Sequence, residues 1–206
     1  DVIAQYGADA LRFTLITGNA PGNDMRYTEK RVIASRNFAN KIWNASRFIM
    51  MNLEQADFSD VTLEDLTSAD KWILSKLNTL AKDVTDNMEK YELGIAVQKL
   101  NDFLWEEFCD WYIEMVKPRL YTVEDQTKAA ALWTLNTVLT EALKLLHPYM
   151  PFITEEIYCN LTDEESIMLA KWPEFKEEWN FKADEKAVET IKEAVRGIRN
   201  VRAEMN

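Results

Sequence analysis

The chain has 206 residues, which at roughly 100–200 per domain allows one domain, or one and a small appendage. With 24 Lys and Arg against 35 Asp and Glu, its formal charge is −11, which excludes a protein that grips nucleic acid by diffuse basicity; any such contact must be local. Hydrophobic residues make up 47%, including seven Trp and nine Phe, so the chain can pack a core and is not disordered, while five Gly and five Pro are too few for a loop-rich all-β domain.

Helical periodicity dominates from the start of the chain. Asp1 to Gln5 reads as a short helical turn that stops at Gly7, and Ala8 to Thr17 restarts it. Gly18 to Asp24 reads as a loop, with Pro21-Gly22 suited to a type II turn. A long helix then runs from about Thr28, a plausible N-cap, to Leu53, and residues 54–67 are acidic and irregular. From Ser68 to Tyr91 a helix places Ile73, Leu77, Leu80, Val84, Met88 and Tyr91 on one face, and Gly94 marks a break. The next helix sets Leu93, Val97, Leu100, Leu104, Phe108, Trp111 and Met115 on one stripe and is expected to end at Pro118. A further helix near Gln126 to His147 carries Leu132, Leu135, Leu139, Ala142 and Leu146. Pro148 and Pro151 end it and begin a short helix to about Leu161. Ser166 to Trp172 is expected to be extended and strand-like, and a last helix spans about Ala183 to Met205. Long helices joined by short links predict an all-α fold, an antiparallel helical bundle with a short extended segment near 166–172.

Autonomous catalysis finds little support. The lone His147 stands before Pro148 at a helix end, and the residue three before it is Lys144, so the Glu-x-x-His pair of a di-metal bundle is missing. Cys109 and Cys159 have no Cys neighbour with which to build a zinc site, and Gly18 to Gly22 lacks the Gly-Lys-Ser/Thr ending of a phosphate-binding loop. The adjacent glutamates 106–107, 155–156 and 177–178 diverge by about 100° on a helix and read as solvated charge. No catalytic, metal or cofactor residues are therefore assigned. The cysteine usage fits a reducing compartment, no signal-peptide pattern is seen, and no run of about 18 uncharged apolar residues spans a membrane, which together predict a cytoplasmic protein. Asp1, in place of Met, suggests a piece of a longer chain.

One stretch stands apart. Between Met25 and Met50 there are six basic residues and a single acid, so this segment carries +5 and the rest of the chain −16, against a total of −11. On a helical projection Val32, Ser35, Phe38, Ala39, Ile42, Ser46, Ile49, Met50 and Leu53 form the apolar face, with Trp43 at its border. Nearly opposite lie Lys30, Asn37, Lys41, Asn44, Phe48 and Asn52, flanked by Arg36, Asn40 and Arg47. Arg31 falls on the apolar side, where it snorkels or pairs, and Ile33 and Met51 blur the polar stripe. A ring among lysines and amides suits the stacking of unpaired bases, with Asn reading base edges and Lys or Arg holding phosphate. Alternatively Phe48 packs against a second helix, which by composition alone is the commoner arrangement in a bundle.

At these residues the sequence resembles a known family. The run Ser35-Arg36-Asn37-Phe38-Ala39-Asn40-Lys41-Ile42-Trp43-Asn44-Ala45-Ser46-Arg47-Phe48 closely resembles the anticodon-binding domain of the valyl-tRNA synthetase family, and Arg36 to Phe48 favours that branch over the isoleucyl one. The likeness covers nearly the whole chain: Tyr6 to Arg12 with Thr17 to Asn19, Trp72 to Asn78, Phe108 to Glu114, Leu146 to Glu156, Ser166 to Met168 with Trp172-Pro173, and Ile198 to Asn206 are similar to successive landmarks of the class I synthetases. The resemblance implies a part of an enzyme that joins valine to its tRNA using ATP, with the ATP and amino-acid site, the editing domain and a coiled coil outside this stretch. It implies a connecting segment from the catalytic core over 1–27, an anticodon-binding bundle over 28–161, and an extended segment and helix leading out over 162–206. Its implied partners are the anticodon stem-loop of a valine tRNA and the catalytic and editing domains of the same chain. Lys30, Arg36, Asn37, Lys41, Asn44, Arg47 and Phe48 are the expected tRNA-binding residues, and Arg12 with the loop Asn19 to Asp24 serves the catalytic junction. The rival reading is a helical protein-interaction module whose Lys30 to Asn52 face meets an acidic partner.

Overall fold

The computed structural model describes residues 1–206 apart from 19–21, 23, 25, 55, 123, 124 and 206, so Pro21 and most of the expected 18–24 turn lie outside the described residues. Helix α1 (Val2–Tyr6) begins where the Asp1 carboxylate accepts from the Ile3 N–H, and α2 (Ala8–Ile16) restarts after Gly7, whose φ of +89° only glycine adopts without strain. Helix α3 (Glu29–Leu53) contains no Gly or Pro to interrupt it, and Thr28 precedes it with extended backbone but no capping hydrogen bond from its hydroxyl. Val32, Ser35, Phe38, Ile42, Ser46 and Ile49 are its buried face. The small serines let a neighbour approach, and Ser35 Oγ meets Thr14 Oγ1 at 2.7 Å, joining α2 to α3 inside the molecule. Arg31 pairs as expected on the apolar side, donating to the Thr17 carbonyl.

Helix α4 (Ser68–Glu89) is the centre of the bundle and packs against α5, α7 and α9. The break after it falls at Tyr91, which takes a left-handed φ of 59°, and not at Gly94, which lies inside α5 (Leu93–Asp102). The following limb departs from a single helical period. Phe103 to Tyr112 form a π-helical segment, in which the Ile113 N–H bonds back to the Phe108 carbonyl, and α6 (Ile113–Tyr121) continues it. A four-residue step overshoots one turn of α-helix but falls short of the wider π turn, so the drift reverses and the buried side is Leu100, Leu104, Phe108, Tyr112, Val116 and Leu120. Trp111 and Met115, expected on that stripe, are only partly buried, and Pro118 sits within α6 instead of ending the helix.

Helix α7 (Lys128–Leu146) packs on α3, α4 and α6, and α8 (Pro151–Leu161) starts on Pro151 with its first amides bound by Asp9 of α2. The expected strand-like segment at 166–172 is instead a 3-10 turn over Ile167–Leu169; the described residues contain no strand with which it could pair. A second 3-10 turn, Glu177–Trp179, leads to α9 (Lys182–Glu204), whose first half lies on α4 and whose side chains from Arg196 onward are exposed. Lys41 faces Asp110 and Phe48 faces Lys117, so α3 runs parallel to the π–α6 limb, while α4 runs antiparallel to both that limb and α9.

Asp70, with no exposure, anchors this arrangement. Its carboxylate takes two hydrogen bonds from Arg119 of α6 (2.8 and 3.0 Å), one from Tyr112 (2.6 Å) and one from the Thr67 N–H at the start of α4 (2.9 Å). Arg119 also donates to Thr127, the residue that opens α7. Burial and the adjacent Asp70 push the Tyr112 phenol well above its usual range, so it stays a donor. Asp70→Asn leaves a partly buried guanidinium without its counter-charge, and we expect a loss of about 3–5 kcal/mol, read from the shift of a urea midpoint. A midpoint matching the wild type would remove Asp70 from this role.

His147 closes the other end, with Nδ1 2.7 Å from Thr154 Oγ1 and Nε2 3.0 Å from the Met168 sulfur. Burial lowers its pKa against the opposing pull of Glu155 and Asp9. Below about pH 6.5 the unfolded chain therefore takes up a proton that the folded one resists, so this stability is complete above that pH and lost as pH falls through the folded pKa. His147→Gln should flatten the decline of stability between about pH 7 and 5; an unchanged slope places the titration elsewhere.

Candidate nucleic-acid interface

The polar side of α3 faces away from α2 and α7, and the structure sorts its seven predicted residues into two groups. Lys30, Asn37, Asn44 and Arg47 are exposed and make no side-chain hydrogen bond or ion pair among the described residues, as does Asn40 beside them. Asn37 and Asn44 are two turns apart, so their amides lie on one line along the helix. Amides project a donor and an acceptor from the same plane, the combination that matches a base edge.

The other three are engaged. Lys41 places its ammonium 2.6 Å from Asp110 and 4.0 Å from the centre of the Trp105 ring, so it is not the freely outward cation that the helical projection suggests. Arg36 lies half-buried with its guanidinium 5.6 Å from the Tyr6 ring, in a cleft shared by α1, α2, α3 and α8 and lined by Asp9, Asn40 and Phe152. Its Nε is buried without a hydrogen-bond partner. Phe48 is half-buried, packs against the core and carries the Lys117 ammonium 5.8 Å from its ring centre. The ring is thus shared between the core and the surface, and Met51, which blurs the polar stripe, is 69% exposed. Asn52 donates to the Phe48 carbonyl within its own helix.

Lys117 is the neighbour that the sequence did not disclose. It belongs to α6, is also bound to Glu114, and has no periodic signal linking it to α3. The described residues hold no cluster of three or more His, Cys, Asp or Glu able to bind a metal, and burial pushes the Cys109 thiol up to about 12, which leaves it an inert, neutral group. No helix among the described residues is long and apolar enough to cross a membrane. What the α3 face offers is non-covalent: amide edges, a free guanidinium and ammonium, and part of an aromatic ring.

Curated relatives resemble the chain over its full length. It is 59% identical to the valine–tRNA ligase of Clostridium perfringens and 57% identical to that of Clostridium tetani, each alignment covering 100% of this chain and 24% of the relative. The valine–tRNA ligase of Bacillus anthracis is 46% identical with the same coverage. The chain therefore spans about a quarter of the length of the relatives it matches. Among solved structures, LeuRS of Agrobacterium radiobacter, in a ternary complex with tRNA and LeuAMS, aligns with a TM-score of 0.68 at 18% identity, over 87% of this chain and 21% of that one. The apo methionyl-tRNA synthetase of Mycobacterium tuberculosis aligns with a TM-score of 0.64 at 18% identity, over 76% and 34%. These two share the fold. A family model described as the anticodon-binding domain of tRNA ligase matches residues 70–206, from the start of α4 onward, with α3 preceding it. The chain belongs to the anticodon-binding domain family of tRNA ligases.

Proposed function

We propose that this chain is the tRNA-binding part of a valine–tRNA ligase, taking the anticodon stem-loop of a valine tRNA on the exposed face of α3. The whole enzyme would attach valine to its tRNA in the cytoplasm, with ATP and valine held outside this chain and no cofactor held within it. The observation that carries the reading is the row of Asn37, Asn44 and Arg47, exposed and without protein partners on a helix shared along its length with valine–tRNA ligases. In this reading Asn37 and Asn44 hydrogen-bond base edges, Arg47 and Lys30 hold phosphate, and the exposed part of the Phe48 ring supports a base beside the Lys117 ammonium. Lys41 and Arg36 act from their partners, Lys41 by fixing Asp110 and Trp105 beside the face and Arg36 through the Tyr6 cleft. Residues 1–27 connect to the catalytic core, 28–161 form the binding bundle and 162–206 lead out of it.

Titrating valine and isoleucine anticodon stem-loops at two salt concentrations tests this directly. Binding in the micromolar range or weaker is expected, falling with salt and favouring the valine stem-loop. Asn44→Ala and Arg47→Ala should each weaken it several-fold at an unchanged melting temperature, since neither side chain has a protein partner. Equal affinity for an unrelated stem-loop would overturn anticodon reading, and capture of an acidic protein with no saturable RNA binding would favour the interaction-module alternative.

Phe48→Ala separates the two halves of that residue's environment. Loss of its core-facing contacts is expected to cost about 1–3 kcal/mol of stability, and loss of the stacking edge a further weakening of RNA binding. A melting shift with unaltered RNA affinity would leave the ring a purely structural role.

A further inference from the structure

On the π segment, next to the Asp110 that meets α3, the Trp111 ring is approached by three cations of α9. Lys192 Nζ is 5.5 Å from the ring centre, and the guanidinium carbons of Arg196 and Arg199 are each 5.7 Å from it. The three are not equivalent. Lys192 is fully buried, sits 4.7 Å from the Trp72 ring as well, and is neutralised by Glu107 at 2.5 Å and Glu189 at 3.1 Å. Arg196 and Arg199 are exposed and have no carboxylate within ion-pair distance among the described residues. In a chain of net charge −11 with 35 acidic residues, two adjacent guanidinium groups left unneutralised on one ring stand out.

Carboxylates of the adjoining limb and of α9 itself are occupied by lysines: Asp110 by Lys41, Glu114 by Lys117, and Glu107 together with Glu189 of α9 by Lys192 and Lys76. The ring face limits where each guanidinium sits, yet leaves its N–H donors in the guanidinium plane free for an anion. Because α9, the π–α6 limb and α3 run in the same direction, Arg196 and Arg199 stand level with Trp111, whose neighbour Asp110 meets Lys41 of α3, two turns before Phe48.

We propose that Trp111, Arg196 and Arg199 form a second RNA contact, in which the two guanidinium groups hold backbone phosphates of the strand whose bases meet α3. This rests on the tRNA-binding reading above and adds a site to it. A phosphate contact carries no base information, so it supplies affinity and register while α3 supplies discrimination.

The test is the intact chain carrying Arg196→Gln and Arg199→Gln together, titrated with the valine and the isoleucine anticodon stem-loops over a range of salt. Binding of both should weaken by the same factor, and the slope of log affinity against log salt should fall by about 1.5 at an unchanged melting temperature. Arg196→Lys with Arg199→Lys should retain most of the slope. If the Gln pair leaves affinity and slope at wild-type values while Arg47→Ala weakens binding, the second contact is overturned and the α3 reading stands. If the wild-type chain shows no saturable binding at low salt, both fall. A poly-glutamate peptide bound by the wild type and lost in the Gln pair, with RNA binding unaffected, would assign the patch to an acidic protein instead.

Discussion

The buried carboxylate of Asp70 is the contact on which the rest of the geometry depends. It binds the start of α4 through Thr67, the end of the π segment through Tyr112 and α6 through Arg119, which in turn reaches the first residue before α7. Three helices thereby share one counter-charge in a site from which water is excluded, where an unpaired partner is costly and the arrangement is therefore specific. Its effect reaches the surface through the limb it holds. With Tyr112 and Arg119 fixed, the limb presents Asp110, two residues before Tyr112, toward Lys41 and Lys117, two residues before Arg119, toward Phe48, while Trp111 turns to α9.

Much of the fold was legible in the residues. The apolar faces of α3, α4 and α7, the restart after Gly7 and the proline start of α8 all follow from local chemistry, which acts within a turn or two. The π segment was not, because a constant helical period cannot show where the period itself changes; Tyr112 and Val116 took the inward positions expected for Trp111 and Met115. The extended reading of 166–172 failed for a related reason. Ser166 and Ala170 do have extended backbone, but a strand needs a partner ladder, and Ile167 instead turns inward to the core.

The candidate interface divides along the same line. A helical projection suffices to place Asn37, Asn44 and Arg47 outward, since their exposure depends on α3 alone. It fails for Lys41 and Phe48, whose surroundings are set by Asp110, Trp105 and Lys117, some 70 positions away in sequence. Arg36 is likewise decided by Tyr6 on a different helix. Charge counting along the segment thus overstates the free basicity of α3, because part of it is spent within the protein.

That accounting reshapes how an acidic chain could hold a polyanion. Many of its lysines already have carboxylate partners, including Lys76, Lys82, Lys99, Lys144 and Lys192, so the net charge says little about which cations can meet a phosphate. Among the exposed cations without a carboxylate partner, which also include Arg26, Lys90, Lys171, Lys186 and Arg202, Lys30 and Arg47 on α3 and Arg196 and Arg199 on α9 are the ones beside the two proposed contacts. Isolated contacts of this kind give weak, salt-sensitive binding, while the surrounding acidic surface repels RNA that does not align with them. In the proposed reading, weak holding with strong exclusion would leave discrimination to the amides of Asn37 and Asn44, which would gain only when the correct edges are presented. The low basicity that argues against general nucleic-acid binding is, on this reading, part of what makes a local and selective contact possible.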